Sequence, residues 1–429
     1  MPATFQSLFH RLFARIRGVP ASRLRRILLA LYLLAAFADA AGKALAANPA
    51  INIAIAHLAR GAAANEIRSE RRPSGNFEIF RTASHHLFTG EDLYAEYPAV
   101  HTDRFKYSPT FALLFAPLAW LPWPLALFLW SVLNALVLFV AIERLLPARQ
   151  ALLAQAFLYL EVLRAMQNAQ SNALVAGLVI LAFVALERGR VWRAAFAVAI
   201  GACVKIFPLA ALTFAIPQRR TLRTGFAAAA AGLALLVTPL LVTTPSVLLA
   251  QYRSWRGVES ADAQERWFSV MELLHRWLGV TWPNWPVQLA GTLTLLLPLL
   301  LRRDRWAESR FRLLYLCSVL MFVVLFNHQA ERASYVIAFA GAAIWFATEP
   351  QRWWRAGLFG VASVTIPLMS TLIPGAPHSA TAMLYRLAVP SVSIWVAIQI
   401  ALWRADRVEP GVASAKHSAS PRARSAHCS

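Results

Sequence analysis

The chain has 429 residues, 58% of them hydrophobic and only 15% charged, with a mean hydropathy of +0.51. Soluble globular chains are roughly 45–50% apolar and about 25% charged, so a soluble enzyme and a largely disordered chain are both excluded. The formal charge of +21 does not point to nucleic acid, because the basic residues, nearly all arginines, cluster at the edges of apolar runs. That is the pattern of cytoplasmic loops and anionic head groups around a polytopic membrane protein.

In chain order, residues 1–26 form a basic segment. Phe5, Leu8, Phe9, Leu12, Phe13 and Ile16 make an apolar stripe at helical spacing beside Arg11, Arg15 and Arg17, which predicts an amphipathic helix on the cytoplasmic membrane face. The first span begins at Ile27. Residues 44–47 resemble a signal cleavage site, but the bundle that follows favours a retained anchor. Residues 43–107 are an outward loop holding Glu66, Glu70, Glu78, Glu91, Asp92, Glu96 and Asp103. Apolar segments follow at 109–122, 125–142, 151–165, 173–186, 194–216, 225–244, 287–301, 313–326, 335–347, 356–373 and 388–403. With the first span they predict an all-α bundle of about twelve transmembrane helices over residues 27–404, both termini cytoplasmic, in a cell inner (plasma) membrane. On that count residues 144–149 and 187–193 face outward, against the positive-inside rule. Several segments also fall short of the ~20 residues a span needs, so broken or re-entrant helices are expected between 109 and 216. A second outward loop, 245–286, is rich in tryptophan and suits either an interfacial helix or a stacking surface. Residues 405–429 read as a disordered cytoplasmic tail.

Polar groups inside apolar runs need a reason. Lys205 precedes a helix-breaking Pro208; it either snorkels from a helix end or faces an anionic lipid phosphate. Glu161 and Arg164, three apart, suit an ion pair. The amide-rich knot 167–172 and the insertion 327–332 interrupt apolar runs, and amides suit hydroxyl recognition. Three cysteines exclude a disulfide framework. His85, His86 and His101 are read as surface or hydrogen-bonding residues rather than metal ligands, no phosphate-binding glycine loop is present, and no metal-binding residues and no cofactor are expected, with metal dependence left open.

The stretches 76–81 (Asn-Phe-Glu-Ile-Phe-Arg), 88–94 (Phe-Thr-Gly-Glu-Asp-Leu-Tyr) and 105–114, with its Phe-Lys-Tyr-Ser-Pro start, resemble glycosyltransferase family 87. The likeness continues through 129–136, 170–174, 204–207 and 327–331. The resemblance implies an integral-membrane enzyme of GT-C type that uses a polyprenyl-phosphate sugar. It also implies that a carboxylate in the first outward loop serves as general base and that an embedded cavity holds the lipid carrier. Many members have aspartate where this chain has Asn76, and an amide is no base at neutral pH. Glu78 replaces it well on an extended segment, but on a helix the two point about 200° apart.

The expected function is transfer of a hexosyl, mannosyl-like unit from a polyprenyl-phosphate donor to a lipid or glycan acceptor at the outer face. A lipid or solute transporter and a catalytically inactive family member are the alternatives. Asp103 and Glu78 are the candidate bases. Asn76, Arg81, Lys106, Tyr107, Gln170, Asn172, Lys205 and His328 are the candidate substrate contacts, with Lys205 and Arg81 facing phosphate.

Overall fold

A computed structural model describes residues 18–47, 75–101, 103–350, 352–369 and 379–404. The predicted amphipathic segment before residue 18, the tail after 404 and the centre of the first loop lie outside them. Among the described residues there are fifteen α-helices and no strand, and five of the helices are long and apolar enough to cross a membrane. We number the helices α1 (Ala21–Ala46), α2 (Gly75–Thr89), α3 (Pro109–Ala119), α4 (Trp123–Leu145), α5 (Ala148–Gln167), α6 (Asn172–Glu187), α7 (Val191–Val204), α8 (Thr221–Val237), α9 (Pro245–Asp262), α10 (Val270–Leu278), α11 (Asn284–Leu301), α12 (Ser309–Leu325), α13 (Tyr335–Thr348), α14 (Trp353–Ser363) and α15 (Ala380–Trp403). A 3₁₀ helix, Phe207–Ala215, follows α7, and a π turn, Val364–Leu368, extends α14. Among the described residues, each predicted apolar segment is helical over most of its length. The chain is a polytopic, all-α membrane bundle.

The interhelical bonds sort the connections into two ends. At the basic end Arg25 pairs with Glu143, Arg188 donates to the Arg144 carbonyl, Arg312 pairs with Glu187, and Arg310 pairs with Glu349. Arg305 donates to the carbonyls of Ala401 and Leu402 there. The loops at 144–149 and 187–193 therefore share the end of the other basic turns, which corrects the outward placement expected from sequence.

Two misassigned segments caused that error, and they cancel in the total. Residues 109–119 do not traverse the bundle. α3 starts at Ser108, whose hydroxyl donates to the Cys203 carbonyl at 2.7 Å, and leads into α4, whose Trp130 indole donates to Ala169 O at 2.9 Å. Both contacts lie at the end opposite the arginines, so α3 stays there and packs on α2 through Phe77, Phe80, Phe111 and Phe115. Most of its apolar surface packs on α2, α4 and the neighbouring helices, with Leu114 left exposed. Residues 194–216, taken from sequence as one span, instead make two traverses that meet at Lys205. α7 runs up to the turn, and the 3₁₀ segment returns to the basic end, where Gln218 donates to Glu187. The total stays at about twelve, with short, broken segments that line one side of a cavity.

If the basic end is cytoplasmic, reporter fusions after residues 147, 189 and 220 will all read inside and one after 265 will read outside. An outward reading at 147 would reject this path.

Small residues set the closest helix contacts. A Cβ on Gly177 of α6 would stand 2.9 Å from the Leu138 backbone nitrogen of α4. Backbone cannot rotate away as a side-chain tip can, so Gly177→Ala should cost about 1–3 kcal/mol through overpacking. Thermal unfolding in detergent measures it, and an unchanged midpoint would mean the two helices separate freely.

Candidate active site

At the end away from the arginines, a cavity of about 580 Å³ opens between the first loop, α9 and the 327–331 insertion. Its deeper wall is apolar, formed by Phe207, Leu209, Phe322, Val323 and Phe326. The mouth is polar and carries Asp103, Lys106, Glu259, Glu265, His328 and Glu331.

Local sequence explains how these groups converge. Ser108 caps α3 by accepting from Phe111 N, and Pro109 fits the first helical position, where no N–H is missed. That cap and the Ser108–Cys203 bond fix Lys106 and Tyr107 beside the α7 break. There Lys205 is extended (φ −149°, ψ 138°), because Pro208 prevents α7 from continuing. The Lys205 ammonium lies 5.9 Å from the Tyr107 ring centroid, and no carboxylate among the described residues is within ion-pair distance of it. Tyr107 donates its hydroxyl to Gln170 Oε1 at 3.3 Å, and Gln170 Nε2 donates to Glu331 Oε2 at 3.1 Å. This line joins three distant stretches of sequence.

Lys106 bridges to Asp262 at 2.8 Å and lies 3.9 Å from Asp103. Burial alone would lower the affinity of Lys106 for its proton, but the hydrogen bond to Asp262 and the field of Asp103 outweigh it, and its pKa is raised. His328 is shifted the other way by burial and is held neutral at physiological pH. Its Nδ1 lies 3.3 Å from Gln288 Nε2, while its Nε2 is buried without a partner. Asp103 projects to the mouth, its side chain 58% exposed, and accepts the Arg104 backbone N–H at 2.7 Å.

Of the sequence candidates, Asn76, Asp103, Lys106, Tyr107, Gln170, Lys205 and His328 line this one cavity. Glu78, Arg81 and Asn172 do not line it. Residues 75–89 are helical, so Glu78 turns away from Asn76 and accepts the Trp123 indole N–H at 2.5 Å. Arg81 donates to Ala119 O at 3.1 Å and does not line the cavity. Asn172 is fully buried at the start of α6. Glu161 pairs with Arg332, not with Arg164 as the spacing suggested. Sequence reasoning passed over Glu331, Glu259 and Glu265, and met Trp255 only as part of the tryptophan-rich loop 245–286. Glu331 had a signal, since it closes the polar insertion at 327–331. On α9 the signal was the loop's tryptophan content, which suited a stacking surface; Glu259 had none.

The fold and site define a polytopic membrane protein with a half-polar, half-apolar cavity at one end, able to hold an amphiphile by its head. The family model for glycosyltransferase family 87 matches residues 105–326, just over half of the chain. The chain belongs to glycosyltransferase family 87. A remote structural likeness is to ArnT from Cupriavidus metallidurans bound to undecaprenyl phosphate, covering 76% of this chain and 72% of that one at 15% identity and a TM-score of 0.34. A search of curated proteins finds no match.

Proposed function

We propose that this protein transfers a hexosyl, mannosyl-like unit from a polyprenyl-phosphate sugar to a lipid or glycan acceptor, at the outer face of an inner (plasma) membrane. The observation that carries the reading is the cavity itself: apolar on the wall toward the helices, polar at the mouth, with an unpaired Lys205 between the two. A prenyl chain suits the first, a sugar the second, and a phosphate the cation.

In this reading the acceptor hydroxyl attacks the anomeric carbon while Asp103 takes its proton. The sugar–phosphate C–O bond breaks with its electron pair passing to the phosphate oxygen, which Lys205 stabilises with a hydrogen bond from His328. One displacement with one base inverts the anomeric centre. Asn76, Gln170 and Tyr107 line the space between these groups and hydrogen-bond the sugar or phosphate. Glu78, Arg81 and Asn172, engaged or enclosed elsewhere, act on the reaction only by holding the fold. Because the donor brings its own leaving group, the reaction requires no nucleotide.

The test is purified protein in liposomes with radiolabelled polyprenyl-phosphate sugars, with and without acceptors. Acceptor-dependent transfer of label supports the enzyme. Carrier movement without transfer would replace it with the transporter, and no turnover of any donor would leave an inactive homologue.

A further inference from the structure

One helix that the mechanism does not use faces the cavity with unmet bonding capacity. α9 presents Tyr252, Trp255, Arg256 and Glu259 to the cavity wall, a spacing that places all four on one helical face. Other positions on the helix are already engaged. Gln251 accepts from Leu93 N at 3.0 Å and donates to Glu91 O at 2.8 Å, Ser254 bonds Asp92, and Asp262 holds Lys106 and Gln329. The helix is clamped against the first loop, so its cavity face is fixed in place.

On that face the Trp255 indole N–H, a group that can only donate, is buried with no hydrogen-bond partner. Glu259 lies one turn on. Burial raises its proton affinity, while the nearby Trp255 N–H and Lys106 draw it back toward the charged form. The indole N–H is therefore near enough to act on the Glu259 carboxylate, but it does not reach direct hydrogen-bond geometry with it. A hydroxyl matches such a pair, since it accepts from the N–H and donates to the carboxylate. A phosphate would satisfy the indole but be repelled by Glu259. The indole also offers an apolar edge to the C–H side of a sugar ring.

We propose that Trp255 and Glu259 form a sugar-binding subsite that takes a hydroxyl of the hexosyl unit carried by the donor. The inference rests on the polyprenyl-phosphate donor proposed above, and it makes α9 a recognition element rather than an interfacial cover.

The test uses the full chain in lipid nanodiscs with two ligands: polyprenyl-phosphate mannose, and the same polyprenyl phosphate without sugar. Trp255→Phe keeps an aromatic ring and removes the N–H; Glu259→Gln keeps the volume and removes the charge. Each should weaken binding of the sugar-bearing lipid about tenfold, the loss of one buried hydrogen bond, and leave the sugar-free lipid within about twofold of wild type. Equal weakening of both lipids, or of neither, overturns the subsite. In turnover, KM should rise for the donor alone; a rise for the acceptor alone overturns the assignment to the donor's sugar. Wild-type protein that binds neither lipid would instead remove the donor reading on which the subsite depends.

Discussion

Asp103→Asn should lower the rate of sugar transfer by about 10²–10⁴-fold, the loss expected when a general base becomes an amide. The side chain sits 58% exposed at the cavity mouth, where an acceptor arriving from water can reach it, and Asn is close to it in volume. Folding should therefore survive, as size-exclusion profile and thermal midpoint will report. Glu78→Gln is the matched control. Glu78 lies outside the cavity and accepts from the Trp123 indole, and a Gln side-chain oxygen can keep that bond, so transfer should stay within about threefold of wild type. Should Asp103→Asn keep full activity, the base is another carboxylate of the cavity. Glu331 is then the next to change, since Gln170 already orients it.

The contrast between these two carboxylates shows where the sequence was legible. In a chain this apolar, each polar interruption of a helical run is costly and stands out. Lys205, Gln170 and His328 were conspicuous for that reason, and they converge on one cavity with Lys106 and Tyr107. Glu259 gave no such contrast, and Trp255 stood out only as one tryptophan of a loop that also suited an interfacial helix. On an amphipathic surface helix charges and indoles cost little, so their part in the cavity wall appears only in three dimensions. The same limit explains the path through residues 109–216. Hydropathy shows that a segment avoids water but not whether lipid or protein covers it, and α3 is covered mostly by α2 and its other neighbours. Proline 208 did mark the break at Lys205, yet pattern alone did not reveal that the 3₁₀ segment after it returns across the bundle. Glu78 was undecided for a different reason, because its role depended on whether residues 75–89 were helix or extended chain.

Breaking the Glu161–Arg332 pair should be among the most destabilising single changes in the bundle. Arg332 Nη1 and Nη2 meet the Glu161 carboxylate at 2.9 and 2.7 Å, and Nη2 also donates to Ile366 O at 3.0 Å in the π turn after α14. Side-chain exposure is 1% for Glu161 and 11% for Arg332, so water cannot replace a missing partner. Glu161→Gln leaves a buried guanidinium uncompensated, and the cost should be about 3–5 kcal/mol. Arg332→Lys keeps the charge but loses the planar two-pronged fit, and should fall between that variant and wild type. Replacing both residues together, Glu161→Leu with Arg332→Met, removes both charges at once and should recover part of the loss. Thermal unfolding in a fixed detergent reads the order of the four proteins. The effect will also reach the site: Arg332 follows Glu331 directly in the chain, and its anchor holds the insertion that carries His328. Glu161→Gln should therefore raise donor KM even at temperatures where the protein remains folded. A Glu161→Gln protein that unfolds with the wild type would show that the pair contributes nothing net, and that the 327–331 insertion is held by Gln170, Asp262 and its own backbone bonds instead.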